Sequence, residues 1–245
     1  MTADSPCRFL EWDSEFFARR IARVQSARLT PDEMERIRRW SRSEAIDCLY
    51  YLADAADTES IRVAEEAGFR FTDVRVTRER SLDGEGGELP EGVELFRDED
   101  VPALRTIARA SHAASRFYHD DRFPRERCDD LYETWISNAC AGDADCVLVV
   151  RSSGRPAGYL SCVIETPTRG RVDLVAVAAA EREQGFGDRL IRGALRWLAN
   201  RGCGRARVVN QARSVESTRL YERLGFQTIS VEHWYHLWLP VGEES

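Results

Sequence analysis

The residues whose types and spacing suit them to chemistry lie in Arg182-Glu183-Gln184-Gly185-Phe186-Gly187-Asp188. This charged turn carries two glycines and separates an apolar run ending in Val175-Ala176-Val177 from a helix-forming stretch. Glycine tolerates a left-handed backbone and leaves room for another group to approach. The amides at a helix N-terminus, backed by the helix dipole, attract phosphate oxygens, so a phosphorylated small molecule is the ligand class that suits this turn. A Walker loop requires Gly-Lys-Ser/Thr, but Asp188 and Arg189 follow Gly187, and the G-x-G-x-x-G fingerprint fails at Leu190. Asp173 alternates onto the strand face of Val175 and Val177. It is a candidate general base there, with a salt-bridged structural aspartate as the alternative.

The elements that must position this turn are readable from pattern. A strand over 171–177 precedes it, and a helix to Asn200, a strand over 205–211, a helix from about Ser214 and an aromatic strand follow. Upstream, two apolar runs split by Ser-Ser-Gly-Arg-Pro predict a hairpin, after helices near 101–113 and 128–139. Nearer the start, Thr30-Pro31-Asp32-Glu33 reads as a capping box opening a helix to about Ser43, with Leu29 and Met34 as a hydrophobic staple. A strand over 48–54 and a capped helix over 57–69 follow. Such alternation predicts an α/β or α+β fold on a mixed sheet. The acidic, glycine-rich stretch from Ser81 to Gly92 has nothing to bury and predicts a division into 1–82, a linker over 83–92, and 93–245. Residues 57–76 echo 214–233, with Glu59, Ser60, Gly68 and Phe69 matching Glu216, Ser217, Gly225 and Phe226, and with Ala64 where the second copy has Tyr221.

Composition narrows the class. The chain has 245 residues, 43% hydrophobic and 31% charged, which is globular. Its net charge of -7 argues against a nucleic-acid partner. No run is apolar enough for a membrane span and the N-terminus lacks a signal-peptide pattern, so a cytoplasmic location without a membrane partner is expected. Seven scattered cysteines form no C-x-x-C pair or Cys/His cluster, which predicts free thiols and no metal.

With these features in place, "LVAVAAAEREQGFGDRLI" resembles the acetyl-CoA-binding motif of the GNAT superfamily of N-acyltransferases, with Arg182, Gly185 and Gly187 on the motif positions. "SVESTRLYERLGF" is similar to the superfamily's closing helix, matching at Leu220, Tyr221, Glu222, Leu224, Gly225 and Phe226. Ser214 stands where asparagine is usual and can still cap the helix. The resemblance implies a GNAT fold of the α+β class: a central mixed, mostly antiparallel sheet flanked by helices, after a smaller, truncated GNAT-like N-terminal domain. It implies acetyl-CoA as cosubstrate, without a metal. Backbone from Arg182 through Glu183, Gln184, Gly185, Phe186 and Gly187 to Asp188 would hold the pyrophosphate, with Ser214 also in the site. Val175, Ala176 and Val177 would pair with pantetheine, and Tyr221 would be the general acid. "FLEWDSEFFARRIARV" and "SRFYHDDRFPRERCDDLYETWISNA" resemble segments of sugar-nucleotide amine acetyltransferases. This second likeness implies a small-molecule amine substrate, a nucleotide-linked amino sugar, with Arg116, Tyr118, His119, Arg122 and Arg125 on a loop suited to a diphosphate and a base. A homodimer is compatible with this reading.

Overall fold

The computed structural model describes residues 5–240. The chain forms two compact units, one comprising residues up to Arg75 with His119–Phe123 and the chain from Ser230 onward, the other Val76–Tyr118 and Pro124–Ile229.

In the first unit β1 (Cys7–Phe9), α1 (Glu11–Phe17), β2 (Ile21–Val24), α2 (Pro31–Ser43), β3 (Cys48–Asp54) and α3 (Thr58–Glu66) lead into β4 (Arg70–Ser81). The last strand, β10 (Gln227–Trp238), returns to this unit, giving the order β1-β2-β3-β10-β4. The strand over 48–54 and the start of α2 lie where the sequence predicts them. Pro31 occupies the first turn, and the Thr30 hydroxyl accepts from the Glu33 amide at 3.2 Å. The capping box is only half made, because the Glu33 carboxylate turns instead to the Ser26 hydroxyl at 2.5 Å and to Arg36 at 2.9 Å. Leu29 and Met34 are both buried in the core beneath α2.

In the second unit β5 (Val93–Leu95), α4 (Val101–Ser111), α5 (Arg125–Asn138), β6 (Cys146–Ser152), β7 (Arg155–Thr166), β8 (Arg169–Val177), α6 (Phe186–Asn200), β9 (Arg205–Gln211) and α7 (Val215–Arg223) follow one another. The sheet order is β4-β9-β8-β7-β6-β5. Neighbours from β5 to β8 pair antiparallel, and β8 pairs parallel with β9. This mixed sheet with flanking helices is the expected α+β class. Helix α6 presents Leu190, Ile191, Ala194, Leu195 and Leu198 at i, i+3 and i+4 spacing to Leu148, Leu160 and Cys162. It lies close against β8: a Cβ added at Gly170 would stand 2.2 Å from Leu198.

The acidic stretch after β4 differs from its sequence reading. Leu82 is buried in the core, and its amide donates to the Gly204 carbonyl at 2.9 Å. Arg196 of α6 donates to the Glu88 carbonyl at 2.7 Å, and the Asn200 side chain both donates to and accepts from the Gly87 backbone. Side chains of α6 satisfy backbone groups that a sequence reading leaves to water. None of the seven cysteines forms a disulfide among the described residues, and six are buried. Among the described residues no helix is long and apolar enough to cross a membrane.

Candidate active site

The parallel pair β8–β9 stops before its strands do. Its register runs from Arg169 opposite Arg205 to Val172 opposite Val208, yet β8 continues to Val177 and β9 to Gln211. On its other side β8 stays paired with β7 as far as Val177 opposite Gly158, and the Ala178 amide donates to Ala157 at 2.8 Å. Backbone polar groups alternate sides along a strand, so those of Val175 and Val177 face away from β7, into the opening beside β9. The opening is an unfilled strand position inside a sheet.

The turn after β8 ends at the N-terminus of α6. Gly185 is the N-cap residue at φ 75°, a left-handed conformation that favours glycine, and no side chain caps the helix. The amides of Phe186, Gly187 and Asp188 therefore have no intrahelical acceptor. A Cβ placed on Gly185 meets no atom within 4 Å. Glu183 also has a positive φ, 65°.

A cavity of about 590 Å3 joins the opening to the turn. Three guanidinium groups (Arg182, Arg219, Arg223) and four carboxylates (Glu181, Glu183, Asp188, Glu216) line it. Attraction for a polyanion thus rests on directed amides and the helix dipole rather than on net side-chain charge. Tyr221 lines the cavity from α7 while only 3% exposed. It packs edge-on against Phe226 at 5.6 Å, and its hydroxyl makes no hydrogen bond among the described residues. Burial pushes its phenol up to about 12, opposed by the charge of Arg78, so the hydroxyl keeps its proton at neutral pH.

Of the residues singled out from sequence, Val175, Ala176, Val177, Arg182, Glu183, Gly185, Phe186, Gly187, Asp188, Ser214 and Tyr221 all line this one cavity. Gln184 is not among the lining residues, and its side chain bonds to Glu181 at 3.1 Å. Asp173 is not a lining residue either, and its carboxylate is bound to Arg171. Ser214 stands at the N-cap of α7 without capping it, because its hydroxyl pairs with that of Ser217 at 2.8 Å. Sequence reasoning did not assign Ser217 and Leu220 to the site, although they stand with Tyr221 at i, i+3 and i+4 spacing along α7. It also missed Ser111, which arrives from the end of α4 with no local signal. The expected acceptor loop divides between the units. In the second unit the Tyr118 hydroxyl donates to Asp129 at 2.6 Å. In the first, Asp120 binds the His236 ring at 2.7 Å and the Trp238 indole at 2.8 Å, while Arg122 lies over Trp238.

The family profile described as acetyltransferase (GNAT) family matches residues 104–226. Over 237 residues the chain is 28% identical to dTDP-fucosamine acetyltransferase of Escherichia coli O6:H1, covering 93% of this chain and 96% of that protein. Over 139 residues it is 25% identical to the spore coat polysaccharide biosynthesis protein SpsD of Bacillus subtilis strain 168, covering 57% of this chain and 48% of that protein. Among solved structures, a GCN5-related N-acetyltransferase from Sphaerobacter thermophilus shares the fold with a TM-score of 0.67 at 16% identity, covering 95% of this chain and 76% of that one.

Proposed function

The chain belongs to the GNAT family of acetyltransferases, and from that premise we propose that it acetylates the primary amine of a nucleotide-linked amino sugar, with acetyl-CoA as donor and Tyr221 as general acid. The observation that carries this reading is the unfilled strand position between β8 and β9, which leads to the uncapped N-terminus of α6 and is flanked by Tyr221. These features fit an extended amide-bearing arm that ends in a pyrophosphate. The Val175 and Val177 backbone would pair with the arm as an added strand does. The amides of Phe186, Gly187 and Asp188 would receive the pyrophosphate.

When bound, acetyl-CoA supplies an activated carbonyl and a thiolate leaving group. Tyr221 holds a proton on its hydroxyl where the cavity opens, and donates it as the sulfur departs. Burial holds the Tyr221 phenol up at about 12, so at neutral pH it carries the proton that a departing thiolate needs. Asp173, bound to Arg171, has no part in this reading.

The acceptor class is supported by the dTDP-fucosamine acetyltransferase relative, which aligns over nearly the full length of both chains. Thiol release from acetyl-CoA is the test, measured against nucleotide-linked 4-amino and 3-amino sugars, with aminoglycosides and peptides as controls. Turnover confined to the amino sugars is the expected result; turnover only on a control overturns the acceptor assignment.

A further inference from the structure

One buried charge of the second unit has no counter-charge among the described residues. Arg78 of β4 is 5% exposed. Its Nη1 donates to Oδ1 of Asn210, its Nε has no hydrogen-bond partner, and no carboxylate pairs with it among the described residues. The neighbouring acids are engaged elsewhere: Glu79 holds Arg205 and Arg207, and Glu85 holds Arg80, whose Nη1 also donates to the Leu224 carbonyl at 2.6 Å. Burying an unpaired guanidinium is unfavourable, so its presence calls for a compensating gain.

The contacts of Asn210 indicate where that gain arises. Asn210 lies past Val208, where β9 has already parted from β8. Its Nδ2 donates to the Gln211 carbonyl at 2.9 Å and to the Thr218 hydroxyl at 3.2 Å. Thr218 precedes Tyr221 by three positions on α7, so both lie on one helix face. A buried cation is thus fixed through Asn210 beneath the helix that carries the proposed proton donor. The other charges around Tyr221 are engaged or at the rim. Asp188 is bound to Arg192 at 2.6 Å, Glu181 is bound to Gln184, and Arg182, Glu183, Glu216, Arg219 and Arg223 are exposed, while β8 offers only valine and alanine.

We infer that Arg78 is a positioning residue whose uncompensated charge stabilises the negative charge that develops on Tyr221 and the departing sulfur during acetyl transfer. The inference rests on the reading of Tyr221 as general acid. In that step the amine nitrogen bonds to the acyl carbon, the carbon–sulfur bond breaks, and the sulfur takes the Tyr221 proton. The phenolate then recovers a proton from the ammonium formed at the new amide nitrogen, directly or through water. Arg78 exchanges no proton; it lowers the cost of the anion.

The experiment compares Arg78→Met and Arg78→Lys in the native chain and in Tyr221→Phe. It reads kcat, the KM values, the thermal midpoint and the ultraviolet thiolate band of bound CoA, with desulfo-CoA as blank. Arg78→Met should lower kcat about 10- to 100-fold and raise the pH at which bound CoA ionises by about one unit or more. The KM for acetyl-CoA should stay within about threefold, because binding rests on backbone groups. The thermal midpoint should hold or rise once the unpaired charge is gone. Arg78→Lys should recover most of the lost kcat, and Arg78→Met should add nothing in Tyr221→Phe. A lowered midpoint with Lys and Met equally impaired, or a bound-CoA titration that does not move, overturns the inference, as does a raised acceptor KM at native kcat. Native turnover in Tyr221→Phe fails the general-acid reading itself. A dead Tyr221→Phe beside a fully active Arg78→Met fails this inference alone.

Discussion

The two runs β2–α2–β3–α3–β4 and β8–α6–β9–α7–β10 follow the same order of elements, and each contains one parallel strand pair, β2–β3 or β8–β9. Both closing helices end at a glycine with positive φ, Gly68 or Gly225, followed by a buried phenylalanine, Phe69 or Phe226. They part company where a ligand would enter. In the first copy β2 ends at Val24, one residue past its pairing with β3, whereas β8 runs on from Asp173 to Val177 with one side open. The Thr30 side chain caps α2 and Pro31 contributes no amide, whereas α6 opens on uncapped Gly185. Leu29 is buried there, and its amide donates to the Ser60 hydroxyl at 2.8 Å, while Ser217, the counterpart of Ser60, faces the cavity. Finally, Ala64 stands where Tyr221 does. The open copy differs from the closed one by a missing cap, a missing plug and a longer strand.

Substitutions can break that contrast. Tyr221→Phe carries the largest expected effect, a loss of kcat of roughly 10²- to 10⁴-fold with CoA affinity nearly unchanged by calorimetry. Ala64→Tyr in the other copy should leave kcat at the native value. Next is Leu29→Ala, which removes the plug of the closed copy; chemical denaturation should show a loss of about 2–5 kcal/mol. A change in the acetyl-CoA KM of that variant would mean that the first copy is not the closed one. Importing the cap residue of the closed copy as Gly185→Thr places a β-branched side chain at φ 75°. About 1–3 kcal/mol of stability should be lost to strain, and the KM for acetyl-CoA should rise as the amides are displaced. A native KM would count against the amides as the pyrophosphate site. Thr30→Ala should cost only about 1 kcal/mol and leave turnover untouched. The smallest signal is a flat one: with the Tyr221 phenol raised to about 12, its deprotonated form is scarce below pH 10, so the fall in kcat on the alkaline side should lie above that pH. A falling limb near pH 8 that vanishes in Tyr221→Phe would contradict the burial of that hydroxyl.

Much of this was legible because it is local. The cap and proline of α2, the strand Cys48–Asp54, the hairpin β6–β7 and the glycine turn each announce themselves within a few residues. The cavity residues between Val175 and Asp188, Gln184 excepted, followed from the likeness of the glycine turn to the family motif. What was not legible depends on partners far away in the chain. That β8 and β9 part after Val172 and Val208 is a property of the pair and is written in neither strand alone. Leu82 is buried in an acidic segment whose backbone at Gly87 and Glu88 is bonded by the Asn200 and Arg196 side chains of α6. Ser214 leaves α7 uncapped because its hydroxyl pairs with that of Ser217, and Asp173 is held by Arg171, two residues away on the same strand. Arg78 reads as an ordinary charged strand residue until β9 is placed beside it.

The open edge of β8 also bears on how such a protein can change over time. What faces the opening at Val175 and Val177 is main chain, present in any sequence that keeps the strand. On the proposed reading the donor end of the reaction is thereby buffered against drift: a valine can become isoleucine or leucine without altering a single amide direction. Specificity for the acceptor has no such protection, because it must be written in side chains. Across descendants of one ancestor, the group that is transferred should therefore stay constant while the molecule that receives it diversifies.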